Sequence, residues 1–180
     1  MHERRYSAEI ERLRSPERTE RMEVPRVIEL CLERASVHSV LDVGTGSGLF
    51  AEGFVKKGLA VTGIDAKPEM IEVSKKLVPG ATFQLATVES IPYADKSFDL
   101  VFMGVVLHEA DDVEQALRES KRCAKHSVMV LEWAYREEDL GPPLEHRLRS
   151  EDLVSVGKRL GFKSITVLPL KKLLLYQFLI

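Results

Sequence analysis

Residues 40–48 read VLDVGTGSG, an apolar run that contains one acid and ends in three glycines at alternate positions. The apolar residues predict a buried strand, and the glycines predict a tight turn into the helix that follows. Glycine tolerates positive φ angles and lets a ligand approach the main chain closely. Because ligands of doubly wound sheets bind beyond the carboxyl ends of the strands, this turn predicts a binding site.

The composition is that of one domain without a strong charge bias. The 180 residues include 26 Lys and Arg against 28 Asp and Glu, so no basic field favours nucleic acid or a membrane surface. The two cysteines match no disulfide or metal-ligand pattern and are expected to be buried thiols. The charged beginning is unlike a signal peptide, and the apolar run 173–180 is too short to span a bilayer. We expect one cytoplasmic domain over residues 1–180, and nothing in the sequence indicates an oligomeric state.

Strands and helices alternate along the chain, which is typical of a mostly parallel, doubly wound α/β sheet. The predicted strands cover residues 39–43, 60–64, 82–86, 98–103, 127–132, 163–168 and 173–179. Helices are predicted from Pro25, over 48–57, 68–77 and 111–123, and from Ser150 to Gly161. Only PLKK separates the last two strands, whereas a parallel crossover needs a dozen residues or more, so the tail predicts an antiparallel hairpin.

A second acid, Asp65, comes about twenty residues after the glycine turn, at the end of the second predicted strand. A carboxylate in this position can accept hydrogen bonds from ribose hydroxyls, although it could also simply cap the next helix. The spacing of the glycines distinguishes between two kinds of cofactor. A dinucleotide fold uses G-x-G-x-x-G, but here the pattern is G-x-G-x-G, and Leu49 takes the place of the third glycine. This pattern favours a nucleoside cofactor without phosphates.

Two stretches, VLDVGTGSGLFAEGFVKKGLAVTGIDAKPEMI and FQLATVESIPYADKSFDLVFMGVVLHEADD, resemble class I S-adenosylmethionine-dependent methyltransferases of the type 11 or UbiE-like branch. The resemblance covers about residues 40–133 and rests on four motifs in the family's order and spacing. It implies a Rossmann-like methyltransferase fold, a seven-stranded sheet that ends in an antiparallel hairpin, and S-adenosyl-L-methionine as cofactor. The opening LRSPERTERMEVP and the later GPPLEHRLRSEDL are similar to a small subgroup of that branch.

The resemblance also implies roles for individual residues. The acid at Asp42 lies under the glycine loop, Asp65 binds the ribose hydroxyls, Ala66 lies against the adenine, and the main chain of Val88 meets the adenine edge. The predicted cofactor site is Asp42, Gly44, Thr45, Gly46, Gly48, Asp65, Ala66, Thr87, Val88 and Met103.

Two departures from the family pattern stand out. Thr87 stands where the family usually has an aspartate, which weakens or replaces one bond to the adenine. The residues AKHS at 124–127 replace a common KPGG turn before the fifth strand, and this change bears only on loop shape.

His108 follows the fourth predicted strand at the edge where a methyl group would be presented. It is the candidate catalytic residue, because a neutral imidazole can take a proton from an attacking hydroxyl or amine. The alternative is that it packs against the cofactor or holds a loop. HEADD lacks the second histidine of a zinc-binding H-E-x-x-H helix, so no metal is predicted.

The acceptor site is predicted to be formed by the irregular segments that lie outside the four motifs. Residues 1–24 are predicted to form a lid with Tyr6, Arg18 and Arg21, although a charged surface helix would have the same pattern. His146 and Arg147 lie in the loop after the fifth strand, where specificity segments usually occur. The predicted substrate residues are Tyr6, Arg21, His146 and Arg147.

The sequence thus predicts a methyltransferase that acts on a small-molecule acceptor. Two alternatives stay open at this stage: a nicotinamide-dependent oxidoreductase, and a protein that binds S-adenosylmethionine without catalysis.

Overall fold

The computed structural model describes residues 12–33 and 36–180, which form one seven-stranded sheet with helices on both faces. The helices, in chain order, are α1 (Pro16–Arg21), α2 (Val24–Leu32), α3 (Leu49–Lys56), α4 (Pro68–Leu77), α5 (Val113–Cys123) and α6 (Ser150–Arg159). The strands are β1 (Ser39–Val43), β2 (Ala60–Asp65), β3 (Thr82–Leu85), β4 (Phe98–Gly104), β5 (Ala124–Trp133), β6 (Ser164–Pro169) and β7 (Leu173–Leu179). Short 3-10 turns lie at Leu107–Glu109 and Leu144–His146.

The helices begin where the local sequence supplies a starting signal. Proline occupies the first turn of α1, α2 and α4, where its missing N–H costs nothing. The Ser15 hydroxyl accepts the N–H of Arg18 at 3.1 Å, and the Asp112 carboxylate accepts the N–H of Gln115 at 2.9 Å. Asp112 is therefore the cap of α5, and the helix begins two residues later than predicted.

The strand order is β3-β2-β1-β4-β5-β7-β6. The first five strands in this order run parallel, whereas β7 is antiparallel to both β5 and β6. The doubly wound sheet and the antiparallel hairpin predicted from the sequence are both confirmed. The strand β5 is longer than predicted, because α5 ends at Cys123 and the strand begins at the next residue.

Both faces of the sheet are covered, so the central strands are buried on both sides. All residues of β4 from Phe98 to Met103 are buried, and successive side chains point to opposite faces. Phe102 packs in the core under α2, α3 and α4, whereas Met103 packs in the core under α5 and α6. Both cysteines are buried as free thiols. In the described part of the chain, no helix has the length and apolar character needed to cross a bilayer.

The order of the strands fixes where a ligand site can form. The chain moves from β1 outward to β2 and β3, then returns to place β4 on the other side of β1. Because the five strands from β3 to β5 are parallel, their carboxyl ends meet at one edge of the sheet. The switch point between β1 and β4 opens a crevice at that edge.

Asp99 joins the amino ends of β1 and β4 at the opposite edge. Its carboxylate accepts a bond from Lys125 Nζ at 2.8 Å and from the N–H groups of His38 and Ser39 at 2.9 and 3.0 Å. The bond to Lys125, helped by the two main-chain bonds, holds the pKa of Asp99 well below its usual range against the effect of burial. Asp99 is thus a structural residue.

We predict that Asp99→Ala lowers the free energy of unfolding by ~3 kcal/mol at neutral pH, because charged hydrogen bonds to two main-chain groups are lost. A lowered pKa stabilises the fold above the ordinary pKa of the group, and this stabilisation is lost as the pH falls. Urea unfolding at several pH values should therefore show the difference from the native protein shrinking below about pH 4. Asp95→Ala, which removes an exposed carboxylate paired with Arg122, is the control and should have a much smaller effect. A difference that persists undiminished at pH 3 would contradict the assignment.

Candidate functional site

A cavity of about 590 Å³ lies over the switch point between β1 and β4. Its wall is formed by the glycine loop after β1, the residues after β2, β3 and β4, the amino-terminal segment and the loop after β5. Of the predicted site residues, those that line it are Asp42, Gly44, Thr45, Gly46, Asp65, Ala66, Thr87, Val88 and His108. The volume is within the usual range of small-molecule sites.

Asp42 supports the glycine loop from inside the sheet. Its side chain is only 2% exposed, and its Oδ2 accepts the hydroxyl of Thr45 at 2.7 Å. Burial raises the pKa of Asp42 to about 7, although the bond from Thr45 acts in the opposite direction. The loop continues the hydrogen bonding of the sheet, since the N–H of Thr45 donates to the carbonyl of Ile64 at 2.9 Å.

Gly46 has φ +53°, and a Cβ at this position would meet no atom of the described residues within 4 Å. The outer side of the loop is therefore open towards the cavity. A side chain here would fill space that residues 12–33 and 36–180 leave empty.

Asp65 lies at the end of β2 and holds the tip of the loop. Its Oδ2 accepts the N–H of Gly46 at 2.8 Å, and its Oδ1 accepts the N–H of Lys67 at 2.9 Å. These two bonds fix the carboxylate at the cavity wall. Each oxygen can accept a further hydrogen bond, so the group can bind a polar ligand as well.

Two predicted cofactor residues do not line the cavity. Gly48 is the left-handed cap of α3, and a Cβ there would come within 2.9 Å of Val78, so this glycine allows close packing against α4 and its end. Met103 is fully buried, and its sulfur receives the hydroxyl of Ser120 at 3.7 Å. The pleat of β4 turns its side chain into the core under α5, away from the cavity.

Of the predicted substrate residues, none in the described part of the chain lines the cavity. Arg21 and His146 are not among the residues that line the cavity. Arg21 ends α1, which contributes Arg18 to the cavity wall, and His146 ends the second 3-10 turn, which contributes no residue to that wall. Tyr6 lies outside the described residues.

Arg147 is buried behind the cavity wall and holds the loop after β5. It is 5% exposed, and its guanidinium lies 5.3 Å from the ring of Trp133. Its N–H groups donate to four main-chain carbonyls, those of Ala134, Arg136, Leu140 and Pro142, at 2.6–3.1 Å. These bonds leave Arg147 a structural residue of the loop, not a residue that contacts the cavity.

The loop that Arg147 holds supplies one side of the cavity. Trp133, Gly141 and Pro142 line it. Gly141 has φ +95°, and a Cβ there would lie 2.8 Å from the ring of Trp133. Only glycine fits this contact, so the wall is formed by an indole ring with a main-chain segment packed on it.

The amino-terminal segment closes the opposite side of the cavity through Arg12, Leu13 and Arg18. Arg14, which the sequence analysis missed, anchors the segment: its Nη1 donates to the carbonyl of Ser47 at 2.8 Å, and its Nη2 pairs with Glu52. Burial lowers the pKa of Arg18, as do the charges of two neighbouring arginines. Its guanidinium forms no hydrogen bond with a residue of the described ranges and is free to meet an anion.

His108 lies at the cavity wall in the 3-10 turn after β4 and pairs with Glu132, which is 2% exposed. Its Nδ1 is 3.0 Å from each carboxylate oxygen, and its main-chain N–H donates to Oε1 at 3.1 Å. Burial acts to lower the pKa of His108, but the bond and charge of Glu132 outweigh it and raise that pKa. Sequence reasoning missed Glu132. The available signal was a single acid within the apolar run VMVLEW.

A comparison with protein-family models finds one match, a methyltransferase domain over residues 41–131, which is just over half of the chain. Among curated proteins, the chain is 37% identical to methyltransferase YcgJ of Bacillus subtilis over 99 residues, 52% of this chain and 39% of that protein. It is 37% identical to demethylmenaquinone methyltransferase of Chlorobaculum parvum over 87 residues, 48% of this chain and 36% of that protein. The chain thus spans well under two thirds of the length of either relative.

Solved structures give the same assignment of fold. A SAM-dependent methyltransferase from Aquifex aeolicus superposes with a TM-score of 0.84 at 25% identity, covering 96% of this chain and 97% of that one. The structure of YcgJ from Bacillus subtilis gives a TM-score of 0.66 at 23% identity over 82% of this chain and 73% of that one. The second likeness, at that identity, concerns the fold alone.

We predict that Arg147→Ala lowers the free energy of unfolding by ~3 kcal/mol, because four partly buried carbonyls lose a charged donor. It should also expose the loop, and trypsin should then cleave after Arg136 much faster than in the native protein. Urea unfolding and limited proteolysis measure the two effects. The control is Arg149→Ala, since Arg149 is half exposed and its guanidinium interacts with the side chains of Tyr135 and Glu151 instead of with main-chain carbonyls. Native stability and protease resistance in Arg147→Ala, with loss of ligand binding, would instead support the contact with substrate that the sequence predicted.

Proposed function

Because the chain belongs to the methyltransferase domain family, we propose that it transfers a methyl group from S-adenosyl-L-methionine to a small-molecule acceptor. The observation that carries this proposal is the placement of two carboxylates around the glycine loop. Asp42 lies beneath the loop and accepts a hydrogen bond from Thr45, and Asp65 lies beside the loop and accepts one from Gly46. Both line the cavity at the switch point of the sheet.

The residues around the cavity suit the parts of the cofactor. The carboxylate of Asp65 has the remaining acceptor capacity for two ribose hydroxyls. Ala66, Met70 and Val88 supply apolar surface beside it for the adenine ring. The guanidinium of Arg18 can pair with the carboxylate of the amino-acid part.

When bound, S-adenosylmethionine supplies a methyl group that the neighbouring sulfonium makes electrophilic. The chain itself has to orient the acceptor and exclude water. The acceptor side of the cavity is assigned to the wall between the amino-terminal segment and the loop after β5, with Val106 and His108 between them. Pro142 and Trp133 give this wall apolar surface, which favours a small molecule with an apolar body.

We predict that Asp65→Ala weakens the binding of S-adenosylmethionine by about 1 to 3 kcal/mol, because the ribose loses a charged acceptor. Calorimetric titration of the folded variant measures the change. Glu72→Ala removes an exposed carboxylate of α4 that pairs with Lys75, and it should leave the affinity unchanged. Wild-type affinity in Asp65→Ala would remove the ribose assignment. Binding of NADH by the native protein, without binding of S-adenosylmethionine, would favour a nicotinamide-dependent oxidoreductase.

A second prediction uses the glycine loop. Gly46→Ala should reduce the affinity for S-adenosylmethionine at least about tenfold, because the added methyl group occupies open space on the cavity side. Gly58→Ala is the matched control. Gly58 also has a positive φ, +81°, and a Cβ there also meets nothing within 4 Å, but it follows α3 and does not line the cavity. Both variants should lose about 1 kcal/mol of stability from the strained φ, and only Gly46→Ala should lose affinity. Equal affinities in the two variants would place the cofactor elsewhere.

A further inference from the structure

Glu132 is a buried carboxylate at the end of β5, behind the cavity wall. Besides the imidazole and main-chain N–H of His108, it accepts the N–H of Trp133 at 3.1 Å. A buried carboxylate needs such donors, because leaving water disfavours its charge. Two of these three groups belong to His108, so the carboxylate fixes both the turn that carries His108 and the orientation of its ring.

The bond to Glu132 also determines which ring nitrogen can accept a proton. A carboxylate accepts hydrogen bonds and does not donate them, so Nδ1 of His108 must carry the hydrogen. In the neutral imidazole, Nε2 then has the free lone pair. The nearby carboxylate of Glu109 is 3.9 Å from Nε2, which is beyond hydrogen-bond distance. His108 lines the cavity and Glu132 does not, so the imidazole separates the carboxylate from the ligand space.

Three charged side chains act directly on His108. Glu132 and Glu109 raise its pKa, whereas Arg147, from the loop after β5, acts to lower it. The charge of Glu132 also acts on Tyr176 of β7, and the charge of Glu109 also acts on Arg18 of α1. The two carboxylates outweigh burial and Arg147, so the pKa of His108 lies above its ordinary value. Neutral His108 therefore accumulates only as the pH rises through this raised pKa.

We propose that His108 accepts the proton of a hydroxyl group on the methyl acceptor, and that Glu132 is the positioning residue that holds His108 for this role. The inference rests on the proposed methyltransferase function and specifies the class of acceptor. The Glu132 carboxylate holds the imidazole of His108, and the imidazole in turn lines the cavity. Such an arrangement orients a base and stabilises its charged form.

The transfer step balances with these groups alone. The acceptor oxygen forms its bond to the methyl carbon, and the carbon–sulfur bond breaks with its electron pair left on sulfur. The hydroxyl proton passes to Nε2 of His108, and the resulting imidazolium is stabilised by Glu132. The proton leaves to solvent when the products depart, and no other reactant is required.

The presence of a positioned base selects among acceptor atoms. A thiol ionises close to neutral pH, and a neutral amine has a free lone pair, so neither needs a base to attack the methyl carbon. A phenolic hydroxyl, with a pKa near 10, is a poor nucleophile until its proton is removed. A histidine held by a buried carboxylate therefore suits a hydroxyl acceptor best.

The competing explanation is that Glu132 only holds the turn after β4. Glu132→Gln separates the two, since glutamine keeps the shape and one acceptor oxygen, which serves one of the two main-chain N–H groups, but loses the charge. His108→Asn removes the base itself. Glu145→Gln is the matched control, because it makes the same charge change at an exposed position of the second 3-10 turn, outside the cavity lining.

The test measures formation of S-adenosylhomocysteine by the full chain, from pH 5.5 to 9.5, first with a panel of thiols and amines and then with a panel of phenols, catechols and hydroxy acids. We expect the native protein to methylate at least one of the hydroxyl compounds, with kcat rising with pH to a plateau. Glu132→Gln should move the rise to lower pH and reduce the plateau at least about tenfold, with KM changed much less. His108→Asn should reduce kcat about a hundredfold or more and abolish the rise. Glu145→Gln should match the native profile.

Calorimetry with S-adenosylmethionine, performed on the same variants, tests the proposed methyltransferase function separately from the roles of His108 and Glu132. Cofactor binding should be retained in the native protein and in all three variants. Absence of binding by the native protein would overturn the proposed function itself. Retained binding, together with an unchanged pH profile in Glu132→Gln or with methylation of thiols or amines but of no hydroxyl compound, would overturn only the base and acceptor assignment.

Discussion

The hydrogen bond from the Gly46 amide to the Asp65 carboxylate joins the ends of two neighbouring parallel strands, and the cavity depends on it. One residue earlier, the amide of Thr45 donates to the carbonyl of Ile64, so the pairing of β1 with β2 continues into the loop. Main-chain N–H groups removed from water need such acceptors. Here the acceptors lie on the side of the loop that faces the sheet, and the opposite side of the loop stays open. The glycine-rich turn is thus held rigid by its neighbours and remains accessible to a ligand.

The elements with clear local signals were predictable from the sequence. α4, with its proline start, and the terminal strand β7 have the predicted bounds, and the hairpin followed from the few residues between β6 and β7. The start of β5 was not predictable in this way. Nothing in the residues 124–127 marks a turn, and the chain passes from α5 into the strand without one. Where no breaker is present, packing against β4 decides the boundary, and packing is not visible in a single sequence.

The same distinction applies to the site. Asp42, Gly46 and Asp65 could be placed at the cavity from the sequence because each lies in or next to the end of its own strand, within one motif. Met103 was misassigned, because alternation along β4 shows that neighbours face opposite ways but not which face holds the ligand. Arg147 and Glu132 depend on partners outside their own motifs: the folded main chain of the preceding loop for the first, and a histidine 24 residues away for the second. A charged residue beside glycine and proline suggests a surface loop, and only the folded chain shows that these carbonyls enclose it.

The anchor formed by Arg14 makes one wall of the cavity sensitive to ionic strength. Its guanidinium spans the beginning of α3, bound to the carbonyl of Ser47 and paired with Glu52. Both charged side chains are partly exposed, 20% for Arg14 and 29% for Glu52, so dissolved ions compete with the pair. Detachment of the amino-terminal segment therefore becomes easier as ionic strength rises. As a result, the wall that Arg12, Leu13 and Arg18 give the cavity is attached less firmly at high salt concentration.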